Sequence, residues 1–319
     1  MDNRPGVREY PARSVVVAFV ALAILAGPIR SLDYRVFDFP WVWPAPGGGV
    51  ATAVLAGFVL LLISLLRRER MLRGKQWMAL VAMLLPQCLN LVLNPSSGRA
   101  VPWLRDTPWG VAFLLSVAAP LWLGLLAALD VIPVEVPRLV VGAGIAGVGA
   151  VCLTIPTDVY RVAPNQAVAL LVHLAVSVLV VFTWAYARPI LAVAGTLSVA
   201  GSFLLLSSLR DAGFGLLFRQ GTWTPMNWRA AALPLLVEVT VSAGLWCLWF
   251  WLLGQMALAA FSMGLLAMWT ASMIPGFLAF GFMSWRIDVA LVVSMAAIVV
   301  ALRARVAEEQ PVALGLDAS

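Results

Sequence analysis

The sequence predicts an all-α integral membrane protein of about ten transmembrane helices, and three observations carry that prediction. Apolar residues make up 62% of the 319 residues and charged residues only 11%, whereas about 25% of a soluble domain is charged. The mean hydropathy is +0.97. The apolar residues fall into long runs of helical length, without the alternation that a membrane β-barrel needs.

Ten apolar runs approach or reach the length of about 20 residues that one bilayer crossing takes. We predict that the tight connection between the sixth and seventh spans is made by Arg188 and Pro189, and that the long ninth span tilts or breaks at Pro275. The predicted spans are 14–29, 48–66, 77–93, 110–129, 138–156, 166–187, 189–209, 231–253, 257–283 and 288–302.

The orientation of the spans is predicted from the second connection, RRERMLRGK at 67–75, which carries five cations and one acid. Connections rich in Lys and Arg stay in the cytoplasm, so ten spans place both chain ends there. Such connections also explain the formal charge of +6 without a nucleic-acid partner. The polar segment 305–319 is expected to be a disordered cytoplasmic tail.

Ten spans divide into two sets of five, residues 1–157 and 158–304, and an odd number of spans turns the second set upside down. A proline occupies a similar place in SVAAPLWLGLLAALD and TASMIPGFLAFGFMS, which are the fragments around Pro120 and Pro275. We interpret both prolines as hinges at which helices bend. The predicted fold is therefore a pair of inverted five-helix repeats.

Four longer segments add a family resemblance. RRERMLRGKQWMALVAMLLPQ and SVAAPLWLGLLAALDVIPVEVPRLVVGAGIAGVGAVCL lie in the first half, and HLAVSVLVVFTWAYARPIL and GLWCLWFWLLGQMALAAFSMGLLAMWTASMIPGFLAF in the second. Together they resemble the drug/metabolite transporter superfamily, in its ten-helix EamA-like type. The resemblance implies export of a small metabolite or drug-like compound through a cavity that the third, fourth, eighth and ninth helices surround together with the first and sixth. The chain departs from the family where a Gly-Glu pair is expected, near Leu129–Asp130 and Trp285–Arg286.

Glu238 is the acid that a bilayer should resist most, because it stands inside the apolar run AALPLLVEVTVSAGLWCLWFWLL. A carboxylate at such depth costs several kcal/mol unless it is paired, protonated or hydrated. One interpretation is that Glu238 binds a proton or a substrate cation. The alternative is a hydrogen bond to a neighbouring helix or a place near the outer interface.

Other polar groups lie at similar depth. His173, the single histidine of the chain, is a candidate proton relay or substrate contact, or else a neutral imidazole that bonds a neighbouring helix. Gln87 and Asn90 are three residues apart and share a helix face. They either line the cavity or join two helices.

Tryptophans of the later spans are candidates for an aromatic wall that attracts an apolar or cationic substrate by about 0.5 to 2 kcal/mol per ring face. The alternative is packing between helices or against lipid. These tryptophans are Trp184, Trp246, Trp249 and Trp269.

Gly142, Gly144 and Gly147 match the GxGxxG fingerprint of nucleotide-binding folds, but no strand precedes them and they lie inside an apolar run. We predict close helix packing for these glycines and for Ala146 and Ala150. No nucleophile elbow, HExxH motif or phosphate loop occurs, so we expect neither an enzyme nor a bound metal or cofactor.

The sequence therefore predicts a secondary transporter that works by alternating access, with a small-molecule substrate, membrane lipids as surroundings and a proton as the first candidate for coupling. The alternative is a non-transporting membrane subunit of a larger complex. Abundant Arg, Ala, Val and Leu with a single Lys are typical of GC-rich bacteria. The predicted location is the bacterial inner membrane, crossed several times.

Overall fold

All regular secondary structure in the described part of the chain is helical. The structure, a computed structural model, describes residues 12–25, 47–93, 118–131, 137–154, 167–191, 193–217, 228–256, 258–264, 266–271 and 285–303. These residues contain no strand, which confirms the all-α class. The helices are α1 (Ala12–Ile24), α2 (Gly47–Leu66), α3 (Lys75–Leu93), α4 (Ala119–Ala128), α5 (Pro137–Thr154), α6 (Ala167–Leu191), α7 (Thr196–Leu217), α8 (Trp228–Gln255), α9 (Leu258–Ser262) and α10 (Trp285–Arg303).

Within the described residues, one helical stretch is long and apolar enough to cross a membrane by length and composition. It is Ala232–Gln255 of α8, with 24 residues and a hydropathy of 1.7. Shorter apolar stretches of 10 to 17 residues lie in α1, α2, α4, α5 and α6. A core helix of a soluble protein can have the same length and composition, and the ten crossings stay a prediction.

The boundary between the sixth and seventh predicted spans was placed wrongly. Arg188 and Pro189 lie inside α6, and the connection follows at 193–195. A proline near a helix end removes a single backbone hydrogen bond, and continuing the helix buries Leu191 in the core. The C-terminal end of α7 lies beyond residue 209, where the seventh span was predicted to end. Arg210 in this extra part of the helix forms an ion pair of 2.8 Å with Asp211.

The ninth predicted span is interrupted earlier than expected. α9 ends at Ser262, Met263 forms a turn, and residues 266–271 are helical again. Pro275, where a break was predicted, lies outside the described residues.

Two glycines let α2 and α7 cross with their backbones in contact. A Cβ on Gly57 would lie 3.0 Å from the carbonyl oxygen of Gly201 and 2.9 Å from Cγ of Leu205. A Cβ on Gly201 would lie 2.9 Å from the carbonyl oxygen of Gly57. Neither helix could carry a larger residue here without moving away from the other.

The predicted packing role of the glycines in α5 holds for two of the three. A Cβ on Gly144 would lie 2.6 Å from the backbone nitrogen of Leu121 in α4, and one on Gly147 would lie 2.6 Å from a methyl of Leu266. A Cβ on Gly142 would have no neighbour within 4 Å among the described residues, so Gly142 takes no part in this contact.

Apolar residues form both the interior and much of the exterior. The main core contains buried residues of every helix from α1 to α9, with α5 contributing Val140. On the outside, large apolar side chains are exposed on several helices, with Phe58 at 61%, Met78 at 72% and Val292 at 68%. These outward faces have no polar cover in the described part of the protein.

Candidate functional site

Glu238 lies in the first half of α8, about 15 Å along the helix axis from Trp228. It is half-buried and has an interaction partner. Leu236 is exposed at 63%, and a step of two residues turns the helix by about 200°. Glu238 therefore points away from the exposed leucine side of α8.

Two residues near Glu238 weaken the regular hydrogen bonding of α8. Pro234, one turn earlier, is buried and removes a backbone N–H from the helix interior. Thr240, two residues later, donates its hydroxyl to the carbonyl of Leu236 at 2.8 Å. Both features weaken or bend helices, so this part of α8 is where its direction can change.

Three of the four predicted tryptophans meet in one aromatic cluster. The ring of Trp249 lies 5.7 Å from Trp184 and 6.5 Å from Trp246, in both cases edge to face. Trp184 and Trp249 are 7% and 8% exposed, so these rings are buried. The aromatic cluster consists of Trp184, Phe203, Trp246, Trp249, Phe250 and Phe261.

The three phenylalanines were not singled out from the sequence. Phe203 of α7 contacts Trp246 at 4.6 Å and Phe250 at 5.1 Å, and Phe261 contacts Trp249 at 4.6 Å. They join α6, α7, α8 and α9 around one aromatic centre. The spacing of 246, 249 and 250 on one helix face is the signal that could have pointed to such a centre.

Glu238 and the aromatic cluster occupy different levels of α8. Trp249 follows Glu238 by eleven residues, which is about 16 Å along the axis. Trp269 is separate from both, because it packs with a second group that includes Met263, Leu266 and Ala297. The structure thus divides the predicted aromatic wall into two places.

The remaining predicted site residues are located only by their helices. His173 lies on α6 and Gln87 and Asn90 lie on α3, but their side chains are outside the described part of the structure. α3 and α6 pack against each other, so the helices that carry these residues are neighbours. Pro120 lies in the first turn of the described α4, where its missing N–H removes no helical hydrogen bond. Its hinge role stays a prediction.

Glu69 makes a contact that the sequence did not indicate. Its Oε2 accepts the backbone N–H of Leu197 at 3.1 Å and the hydroxyl of Ser64 at 3.4 Å. Next to it, the carbonyl of Arg70 accepts the N–H of Gly195 at 2.9 Å. A Cβ on Gly195 would collide with the Glu69 carboxylate. A carboxylate at a helix N-terminus satisfies a free N–H and is favoured by the helix dipole, so the loop after α2 caps α7.

This contact brings three helix ends together at the basic loop, which we define as residues 67–75. α2 ends there, α7 begins there, and α6 ends four residues before Gly195. Among the described side chains, no three His, Cys, Asp or Glu residues group as metal ligands do.

Comparisons with known proteins show the fold alone. No protein-family model matches the sequence, and neither does any curated protein. A solved crystal structure, described only as that of a protein, is similar with a TM-score of 0.62 over 92% of this chain and 97% of the other. At 16% sequence identity, this likeness indicates a shared helical architecture over nearly the whole chain, and no function follows from it.

Proposed function

We propose that the chain is a membrane transporter that carries a small metabolite or drug-like compound by alternating access, with Glu238 as the group that binds a proton or a cationic substrate. The single observation that carries this proposal is a half-buried acid in the longest apolar helix of a bundle whose outside is also apolar.

The apolar exterior supports placement in a membrane. Soluble monomers rarely expose contiguous apolar patches larger than a few hundred Å². Here Val17, Phe58, Leu62, Met78 and Val292 are each more than half exposed, and they come from four different helices. Lipid tails are the surroundings that suit such surfaces on every side.

The pattern of helix pairs supports two inverted five-helix repeats and hence the likeness to the drug/metabolite transporter superfamily. If each helix of the first half corresponds to the helix five places later, the α2–α7 and α5–α10 pairs correspond to themselves. The α3–α6 pair then corresponds to the α8–α1 pair. All four pairs are in contact, as a pseudo-twofold axis requires.

In the proposed topology α8 ends on the side of the basic loop, so the aromatic cluster lies between Glu238 and that side. The buried rings and the Glu69 cap close the bundle there. Glu238 would then be reached from the opposite side, and transport would require the cluster and the cap to separate. Pro234 and the Thr240 side-chain bond give α8 a place to bend.

The test measures proton exchange by the purified protein in detergent when a hydrophobic cation such as tetraphenylphosphonium is added. We expect the wild type to release a proton on binding and Glu238→Gln to release none. Asp130→Asn is the matched control, because it neutralises an exposed carboxylate whose φ of 57° asparagine also tolerates. Proton release that persists in Glu238→Gln would remove Glu238 from the mechanism.

A non-transporting membrane subunit is the second candidate, and the burial of Trp184 and Trp249 in a packed core favours it. In that case Glu238→Gln changes stability or assembly and leaves every flux in proteoliposomes unchanged. Solute flux in proteoliposomes that contain the wild type, but not in those that contain Glu238→Gln, would support the transporter over the non-transporting subunit.

A further inference from the structure

The basic loop is the most strongly charged surface of the described structure, and the proposed site does not use it. We propose that it binds the headgroup of an acidic phospholipid, while apolar residues on both sides of the loop contact the acyl chains. This inference rests on the membrane placement in the proposed function, and it is independent of whether the protein transports anything.

The loop carries positive charge that the described residues do not neutralise. Its one acid, Glu69, directs its carboxylate to the N–H of Leu197 and the hydroxyl of Ser64. Within the described ranges no acidic side chain pairs with the cations of the loop. The exposed cations are Arg67, Arg68, Arg70, Arg73 and Lys75.

Arginine is well suited to a phosphodiester, because its planar guanidinium can give two parallel N–H bonds to phosphate oxygens. Clusters of four or more Lys or Arg next to membrane helices are typical of acidic-lipid recognition. A cluster of this size at the ends of α2 and α3 therefore fits a phosphate group at the membrane surface.

Apolar side chains continue the surface on either side of the cations. Leu66, at the end of α2, is 75% exposed, and Met78, in the first turn of α3, is 72% exposed. Trp77 beside it is 41% exposed, and tryptophan favours the interface between lipid headgroups and tails. A lipid offers both parts that this surface fits, a negative headgroup and apolar chains, which an acidic soluble partner does not.

The backbone conformation of Arg68 also supports the proposed headgroup site. The N–H of Arg68 bonds the carbonyl of Leu65 at 3.0 Å, and the N–H of Glu69 bonds that of Ser64 at 3.0 Å. This pair of bonds is a Schellman motif, whose left-handed position glycine usually occupies. Here an arginine has φ of 54°, so a cation stands where glycine would be less strained.

The cations are also held on a fixed frame. The bonds from Gly195 to the Arg70 carbonyl and from Leu197 to Glu69 tie the middle of the loop to α7. The loop backbone therefore has little freedom to lose when a headgroup binds, which favours binding.

The experiment measures the thermal unfolding midpoint of the full chain in neutral detergent micelles, with phosphatidylglycerol or phosphatidylcholine added. We expect phosphatidylglycerol to raise the midpoint of the wild type by several degrees more than phosphatidylcholine does, because a ligand of the folded state stabilises it. The extra rise in midpoint that phosphatidylglycerol gives over phosphatidylcholine should fall by at least half in Arg68→Gly and in the double variant Arg70→Gln/Arg73→Gln.

Arg68→Gly separates binding from folding. Glycine suits a φ of 54° better than arginine, so without acidic lipid the midpoint should be unchanged or higher. The matched control is Arg286→Gln, which removes an exposed cation from α10, a helix whose main partners are α5 and α9. It should keep the full response to phosphatidylglycerol.

Equal responses in all variants, or an equal loss in Arg286→Gln, would overturn the site and leave only general attraction of a positive protein. A protein that stays in the aqueous phase without detergent would instead overturn the proposed membrane function, so the two failures are distinct.

Discussion

Glu69 shows how much a single side chain can decide in this bundle, since it joins the loop after α2 to the first turn of α7. We predict that Glu69→Ala lowers the free energy of unfolding by about 1 kcal/mol, because the N–H of Leu197 loses its acceptor and the hydroxyl of Ser64 keeps only the weak sulfur acceptor of Met71. A denaturant titration in neutral detergent measures the change. Arg70→Gln is the control, because Arg70 bonds Gly195 through its carbonyl and not its side chain.

A double-mutant cycle with Gly195→Ala makes the Glu69 prediction sharper. The added Cβ collides with the Glu69 carboxylate and would also lie 2.6 Å from the Glu69 Cβ, which alanine keeps, so the cycle uses Glu69→Gly, in which Gly195→Ala should cost clearly less than in the wild type. Strictly additive losses would mean that Glu69 does not occupy the space beside Gly195.

At the scale of helices, the crossing of α2 and α7 depends on the absence of side chains at Gly57 and Gly201. We predict that Gly57→Ala destabilises the protein by about 1 to 3 kcal/mol, because its Cβ would lie 3.0 Å from the Gly201 carbonyl oxygen, which cannot move away alone. The same denaturant titration measures the loss of stability.

Gly149→Ala in α5 is the matched control for the helix crossing. No described atom lies within 4 Å of the Cβ that it adds, so the higher helix propensity of alanine should leave stability equal or raise it by up to about 1 kcal/mol. A similar loss in both variants would mean that the crossing does not decide the effect.

At the scale of the whole molecule, the apolar outside should be covered by lipid. We predict that a cysteine placed at Leu62 or Val292 escapes a water-soluble maleimide supplied to both faces of detergent-free membranes, whereas one at Arg68 reacts. All three residues are exposed in the protein itself, so only the surroundings distinguish them. Mass spectrometry of a variant without Cys88, Cys152 and Cys247 measures the labelling, and equal labelling at all three sites would exclude lipid cover.

The sequence by itself determined the helical class and most helix positions, since long apolar runs with helix-forming residues have few alternatives. It also singled out Trp184, Trp246 and Trp249 as candidates for an aromatic wall, and these three rings do meet in one cluster. The end of α6 was missed because proline is a local signal, and burial of Leu191 outweighs it.

Which helix faces meet became evident only from the packing of the folded bundle. Trp269 packs apart from Trp184, and Gly57 lies against Gly201. Glu69 binds the first turn of α7, a helix that begins more than a hundred residues later in the chain. The physical reason is that the helices of this chain are apolar on nearly all sides. Where the inside and the outside of the bundle are equally apolar, the hydrophobic pattern of a helix does not distinguish its packed face from its outer face. Close packing and hydrogen bonds then determine which helices pair.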